Sequence, residues 1–170
     1  LATTHRKYDG PRDLIDFVEN LAGSTSVSKY DYTNDNLARR TRVDHTGTAF
    51  SPTSYTAYTY NGRNELTGAE RHDLTSPNPL LTPGDYDYLY DPIGNRGNHG
   101  LDGTTTYYCV NNMNQYTYTD DAAGTCPTPG SPLEAFAHDD DGNLVSDAPA
   151  GPKLVAATSF MTHGSAGEFG

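Results

Sequence analysis

A short acidic stretch in the C-terminal third of the chain holds the residues best suited to bind a metal ion. Asp139, Asp141 and Asn143 alternate along it, and their oxygen atoms are of the type that a hard cation such as Ca²⁺ prefers. His138 beside them would favour a transition metal instead. An EF-hand needs an acidic residue at its twelfth position, which is Ala150 here. The pattern therefore favours a hairpin turn in which these side chains cap backbone amides and no cofactor is required. A Ca²⁺ or other divalent-cation site is the alternative.

Four histidines are candidates for acid–base catalysis: His45, His72, His99 and His138. A hydrolase, whether serine-type or metal-assisted, would need these histidines to lie close to acidic side chains. A serine-type hydrolase would also need a hydroxyl nucleophile beside them. Asp44 and His45 are adjacent, but neighbours in a strand point to opposite faces. The sequence has no Gly-x-Ser-x-Gly nucleophile elbow. Catalytic residues therefore stay unassigned, and a hydrolase is kept only as an alternative function.

Charge and composition exclude several classes of protein. The 170 residues carry a net charge of −11, and phosphate binding needs clustered Lys and Arg, so neither nucleic acid nor an anionic membrane is an expected partner. No run of 18 apolar residues exists that could insert into a membrane. The 13 tyrosines favour β-structure. Their rings also suit carbohydrate, so a carbohydrate-binding module is a further alternative.

Most of these tyrosines belong to an internal repeat that must position the other residues. Each copy reads aromatic, any residue, aromatic or His, then Asp or Asn, a short turn and a polar strand. Clear copies lie at residues 30–41, 58–67, 86–96 and 136–144, with a weaker one at 107–116 and a remnant at 7–10. Alternating Tyr-x-Tyr puts two rings on one face of a strand, and Asp or Asn caps the turn. Each copy predicts a β-hairpin, and a lone hairpin cannot bury its own face, so neighbours must stack side by side.

The positions predicted to build the hairpins are the repeated aromatic and turn residues. They are Tyr30, Tyr32, Tyr58, Tyr60, Tyr88, Tyr90, Asp91, Gly94, Tyr116, Asp139 and Gly142.

These units resemble YD repeats, also called RHS repeats. The resemblance rests on residues 90–96 (YDPIGNR), 60–67 (YNGRNELT), 114–116 (NQY) and 139–144 (DDDGNL), and it covers roughly residues 7–147. It implies a long antiparallel sheet that spirals into a hollow shell. In large bacterial secreted or surface proteins the shell encloses a toxic C-terminal segment, and related teneurins use it in cell-surface recognition. The function implied is therefore structural, at an extracellular or bacterial-surface location.

The chain also departs from the family pattern. Ala38 stands where the turn glycine is usual, and His138 stands where the second tyrosine is usual. The family's C-terminal core motif, which carries self-cleaving aspartates, has no match in residues 148–170. We therefore expect about five repeats of a larger shell, with exposed sheet edges that pair with other repeats or with a second copy of the chain.

The predicted fold is all-β, a curved open sheet of stacked antiparallel hairpins over residues 1–147. A C-terminal tail follows over 148–170, and its residues 164–170 resemble an added linker. The proline-rich stretches 76–84 and 126–132 are expected to be surface connections.

Two local features have alternative interpretations. Residues 11–22 carry an apolar stripe with helical spacing, which would give one short N-terminal helix, whereas the repeat favours a strand that enters a turn at 20–23. Cys109 and Cys126 are either one disulfide of an exported protein or two unpaired small hydrophobes.

Overall fold

The structure of the protein is a computed structural model that describes residues 2–75, 77, 79–123, 126 and 133–149. These residues form twelve strands: β1 (Ala2–Tyr8), β2 (Ile15–Ala22), β3 (Thr25–Asn34), β4 (Arg40–Thr46), β5 (Ser54–Tyr60), β6 (Leu66–Asp73), β7 (Leu80–Tyr90), β8 (Arg96–Leu101), β9 (Thr104–Val110), β10 (Tyr116–Asp120), β11 (Glu134–His138) and β12 (Leu144–Pro149). Each strand pairs antiparallel with its neighbours in the chain, so the order in the sheet is the order in the sequence. The prediction of stacked antiparallel hairpins in one open sheet is confirmed.

The six hairpins share one register at four of the five junctions between neighbours. Each hairpin has a turn that begins with Asp or Asn, and positions are counted here from that residue. At four of the five junctions, the residue seven positions after that Asp or Asn pairs with the residue four positions before the next one. These pairs are Arg42 with Ala57, Gly68 with Asp87, Asn98 with Tyr107, and Tyr118 with Ala135. The regular register places all six turns along one side of the sheet.

The N-terminal segment is a strand, so the alternative of a short helix is wrong. Ile15–Ala22 forms β2, which is paired on one side with β1 and on the other with β3. An amphipathic helix needs a second layer on which to bury its apolar stripe. The described residues form a single sheet without such a layer, whereas the neighbouring strands offer hydrogen-bond partners along both sides of β2.

The first proline-rich connection is shorter than the sequence indicates. Residues 80–84 belong to β7, with Leu80 paired to His72 and a register shift between Glu70 and His72. The shift lets the strand continue through Pro83, which cannot donate a ladder hydrogen bond. The second proline-rich stretch, apart from Cys126, and residues 150–170 with their predicted linker lie outside the described residues.

Cys109 and Cys126 form a disulfide, with their Cα atoms 5.5 Å apart. Cys109 lies in β9 and is 1% exposed, and Cys126 lies in the connection between β10 and β11. That junction has only two paired positions, Tyr118 with Ala135 and Thr119 with Glu134. The disulfide therefore ties the connection back to the sheet where strand pairing is sparsest.

Very little apolar surface is buried in this single layer. The buried apolar residues among those described are Val43, Ala69, Cys109 and Tyr118. A sheet without a packed second layer must be stabilised by cross-strand contacts and by its turns. No described segment forms a helix that could span a membrane.

Candidate functional site: the turn row and the tyrosine face

Five of the six turns have one geometry, and together the six turns form what we name the turn row. Residues 35–39, 61–65, 91–95, 111–115 and 139–143 each form a five-residue turn. The amide of the first residue donates to the carbonyl of the fifth, and the amide of the fourth donates to the carbonyl of the first, over 2.9 to 3.1 Å. This is a type I turn followed by a left-handed residue and a bulge. The remaining turn, between Asp9 and Leu14, has one more residue and closes with the same kind of amide-to-carbonyl bond, at 2.8 Å.

The Asp or Asn that begins each turn is a backbone cap. In the fourth turn, Asp91 Oδ1 accepts hydrogen bonds from the amides of Ile93 (3.0 Å) and Asn95 (2.9 Å). In the sixth turn, Asp139 Oδ1 accepts from the amides of Asp141 (3.1 Å) and Asn143 (2.8 Å). The cap satisfies turn amides that would otherwise lack a partner.

In the five like turns, the fifth residue complements the first. Where the turn begins with Asp, an acceptor, its partner is a donor: Arg39 to Asp35 (2.7 Å), Asn95 to Asp91 (2.8 Å) and Asn143 to Asp139 (3.0 Å). Where the turn begins with Asn, which uses its amide as a donor, the partner is an acceptor: Glu65 for Asn61 (2.6 Å) and Gln115 for Asn111 (2.8 Å). Each turn is therefore closed by a side-chain bond as well as by the backbone.

These bonds shift the carboxyl groups toward their charged form. The Asn143 amide, with the backbone amides of residues 141–143, holds the pKa of Asp139 below its usual range. The Asn95 side-chain amide likewise lowers the pKa of Asp91, and burial opposes this with a smaller effect. Burial acts to raise the pKa of Asp35, but the bonds from Arg39 and the turn amides outweigh it and leave the pKa lowered.

The fourth turn residue has left-handed backbone angles in all five turns. The φ values are 64° at Ala38, 67° at Asn64, 97° at Gly94, 64° at Asn114 and 85° at Gly142. Gly and Asn adopt this region readily, whereas a methyl side chain is strained there. The family departure noted at Ala38 is therefore a site of local strain.

Side chains also join each turn to the next one along the row. Arg12 donates to the Asp35 carbonyl (2.6 Å), and Arg39 donates to Asn64 Oδ1 (2.9 Å). Arg63 donates to the carbonyls of Asp91 (2.7 Å) and Pro92 (2.5 Å). Asn95 donates to Asn114 Oδ1 (2.6 Å). In each case the donor lies in the earlier turn and the acceptor in the later one.

The repeated tyrosines lie on one side of the sheet, which we name the tyrosine face. Strand alternation and register place there Tyr30, Tyr32, Tyr58, Tyr60, Tyr86, Tyr88, Tyr90, Tyr108 and Tyr116. Their rings contact neighbouring strands. Tyr108 meets Tyr116 edge to face at 5.5 Å, and the Tyr60 hydroxyl donates to the Arg40 carbonyl at 2.7 Å. These contacts substitute for a packed second layer.

Arginines are interleaved with these rings. Arg40 lies 3.9 Å from the ring centre of Tyr32, and Arg96 lies 5.2 Å from Tyr88 and 5.6 Å from Tyr108. Each such cation–π contact is worth about 0.5–1 kcal/mol at an exposed site. The arginine stems also cover ring surface that water would otherwise reach.

The four candidate histidines do not converge. His45 and His99 lie on the tyrosine face but on strands β4 and β8, and His72 points to the opposite face, where it stacks on Tyr55 at 5.0 Å. His138 ends β11 beside the sixth turn.

His45 packs against Tyr30 and Phe50, and its Nδ1 is buried without a hydrogen-bond partner. Burial lowers its pKa, aided by the charge of Arg71 and opposed by Asp44.

The acidic stretch at 139–143 is a turn cap in this structure. Both Asp139 oxygens accept hydrogen bonds within the turn, so they face inward to the backbone and to Asn143. Among the described residues, no three His, Cys, Asp or Glu side chains are grouped so that they could hold a metal ion.

Comparisons with known proteins bear on this architecture. No family model and no curated protein matches the sequence. Solved structures do match. The chain superimposes on a chain in the crystal structure of TcdB2-TccC3-Cdc42 with a TM-score of 0.61 at 16% identity, and on one in the structure of TcdB2-TccC3-TEV with a TM-score of 0.60 at 16% identity. Each match covers 86% of this chain and 8% of the other.

The chain has the fold of a segment of these longer chains. At 16% identity the likeness concerns the fold, and it agrees with the resemblance drawn from the repeated turn motifs. The matched segment is about a twelfth of the length of each of those chains.

Sequence reasoning missed two features of this sheet. The pairing of the first and fifth turn residues was readable as Asp with Arg or Asn, and Asn with Glu or Gln, always four residues apart. The bridges between successive turns had a weaker signal, because the bridging Arg or Asn stands at different positions in different turns.

Proposed function

We propose that this chain is a wall segment of an RHS-type shell, located outside the cell or at a bacterial surface, which acts by enclosure or recognition. The observation that carries the proposal is the single-layer sheet of six like hairpins, whose outermost described strands, β1 and β12, each pair on one side only. Such edges are incomplete by themselves, because their outer hydrogen-bonding groups have no strand beside them. Further hairpins of the same shell are the partners that continue the register.

Three further observations support this proposal. The matched chains are about eleven times as long as this one. The Cys109–Cys126 disulfide agrees with an oxidising location. The tyrosines contact their strand neighbours, as a wall requires.

The test is the structure of the natural polypeptide that contains this sequence. We expect β1 and β12 each to be hydrogen-bonded to a further hairpin, with Ser146 paired to the residue four positions before the next turn. A helix, a loop or open solvent along either edge in that assembled protein would contradict the proposal.

A further inference from the structure

The contact between the fifth and sixth turns differs from every other contact along the turn row. Elsewhere a side chain of the earlier turn donates to the later one. Between residues 111–115 and 139–143, the described residues form no such bond. The fifth turn has Met113 at its third position, where the third turn has Arg63.

A groove lies where this bridge is missing. Its volume is about 720 Å³. It is lined by Asn111, Met113, Gln115, Thr117, Phe136, His138 and residues 139–142. Met113 is 74% exposed. The groove therefore combines an apolar surface with acidic side chains along one wall.

The geometry points to an arginine side chain of a partner polypeptide as the occupant of this groove. Arg63 shows how such a guanidinium binds in this sheet, since its two terminal nitrogens donate to the carbonyls of the first two residues of the next turn. The equivalent carbonyls in the sixth turn belong to Asp139 and Asp140. A guanidinium presents two parallel donors in a fixed fork, which a lysine ammonium does not.

Charge and packing favour the same occupant. Asp140 and Asp141 are exposed on the wall of the groove, and the whole chain carries a charge of −11. An arginine stem can pack its methylene groups against Met113 and Phe136 while its charged end lies beside these acids. The occupant is thus an extended partner segment with an arginine, which restores the missing bridge from outside the chain.

The test is a titration of the isotopically labelled chain with the blocked peptide Gly-Gly-Arg-Gly-Gly, followed by amide chemical shifts. We expect saturable shifts confined to residues 111–117 and 136–142. The same peptide with citrulline, or with lysine, should bind at least ten-fold more weakly. No shifts, shifts spread over the sheet, or equal binding of the lysine peptide would overturn the inference.

Met113→Arg gives a second, independent test because it supplies the bridge within the chain. We expect it to abolish peptide binding and to raise Tm by about 2–4 °C. Met113→Lys, which has the same net charge, should raise Tm less. Ile93→Arg, at the same position of the preceding turn, should leave peptide binding unchanged. Peptide binding that persists in Met113→Arg, or equal Tm values for the Arg and Lys variants, would overturn the assignment.

Discussion

Single side chains decide how each hairpin closes. The first turn residue holds the backbone, and the fifth must offer the opposite hydrogen-bonding character. An aspartate needs a donor such as Asn143, and an asparagine that donates its amide needs an acceptor such as Glu65. The turns are therefore units of two coupled positions, and a substitution at one position has an effect that the other position determines.

The asparagine-initiated turns predict losses of different size for the same substitution. Asn61→Asp faces Glu65, which cannot donate, so two carboxylates meet where a 2.6 Å bond existed. We expect a loss of about 1–2 kcal/mol in unfolding free energy at pH 7. Asn111→Asp faces Gln115, whose amide can turn and donate, so we expect a loss of under about 0.5 kcal/mol. Urea unfolding measures both, and equal losses would contradict the coupling.

Ala38 predicts a stabilising substitution. A φ of 64° strains an alanine, and Ala38→Gly removes this strain but gives the unfolded chain more conformational entropy. We expect the net result to be a rise of about 0.5–1 kcal/mol in unfolding free energy. The matched control is Gly94→Ala, at the same turn position with φ 97°, where the new Cβ would lie 3.3 Å from Glu65 Oε1. It should cost about 1–2 kcal/mol. Thermal or urea unfolding measures both, and a destabilised Ala38→Gly variant would refute the strain.

The sequence predicted the turn residues better than the contacts between them. Caps such as Asp91 and Asp139 follow from a local rule, because a short carboxylate reaches only nearby amides. The contacts of Arg63 and Arg96 depend on which hairpins lie side by side and in what register, which no local pattern specifies. His45 shows the same limit, since only the strand pairing reveals its contact with Tyr30.

At the scale of elements, the hairpin is the repeated unit and its turn is its most regular part. The strands vary in length, yet five turns share one hydrogen-bond pattern and one left-handed position. The strand at Ile15–Ala22 shows why elements were predictable only in part. Its apolar spacing fits a helix, and pairing with β1 and β3 overrides that preference.

The sixth turn predicts a specific dependence on pH. The pKa of Asp139 is lowered in the folded chain, so its contribution to stability is present above the unfolded pKa of about 4 and is lost as the pH falls through the folded pKa. Asp139→Asn with Asn143→Gln copies the neutral pair of the fifth turn. We expect this variant to lose less stability than the natural chain between about pH 4 and pH 2.

The measurement is urea unfolding across that range, compared with the stability of both chains at pH 7. The single variant Asn143→Gln, which keeps the carboxyl group, is the control for the loss of the Asn143 bond. Identical pH dependence of the double variant and the natural chain would show that the Asp139 carboxyl is not stabilised by the turn.

At the scale of the whole molecule, the described residues form one sheet without a second layer, and its two outer strands each pair on one side only. A fold of this kind is stable through the sum of many local contacts between neighbouring hairpins, as in other repeat architectures. The two edge strands also differ in charge, since β1 carries His5, Arg6 and Lys7 whereas β12 carries Asp147.

The constant junction register predicts how two copies would pair edge to edge. Applied to β12 of one copy and β1 of the next, it places Ser146 opposite His5, seven residues after one turn begins and four before the other. A mixture of Ser146→Cys and His5→Cys chains should therefore form a disulfide-linked dimer under mild oxidation.

Ser146→Cys with Arg6→Cys is the control, because a shift of one residue points the second thiol to the other face. We expect several-fold more dimer from the matched pair on a non-reducing gel, since the open hydrogen-bonding groups of the two edge strands favour the aligned register. Equal dimer yields from both mixtures would mean that the edges do not continue the sheet, and would count against the wall-segment function.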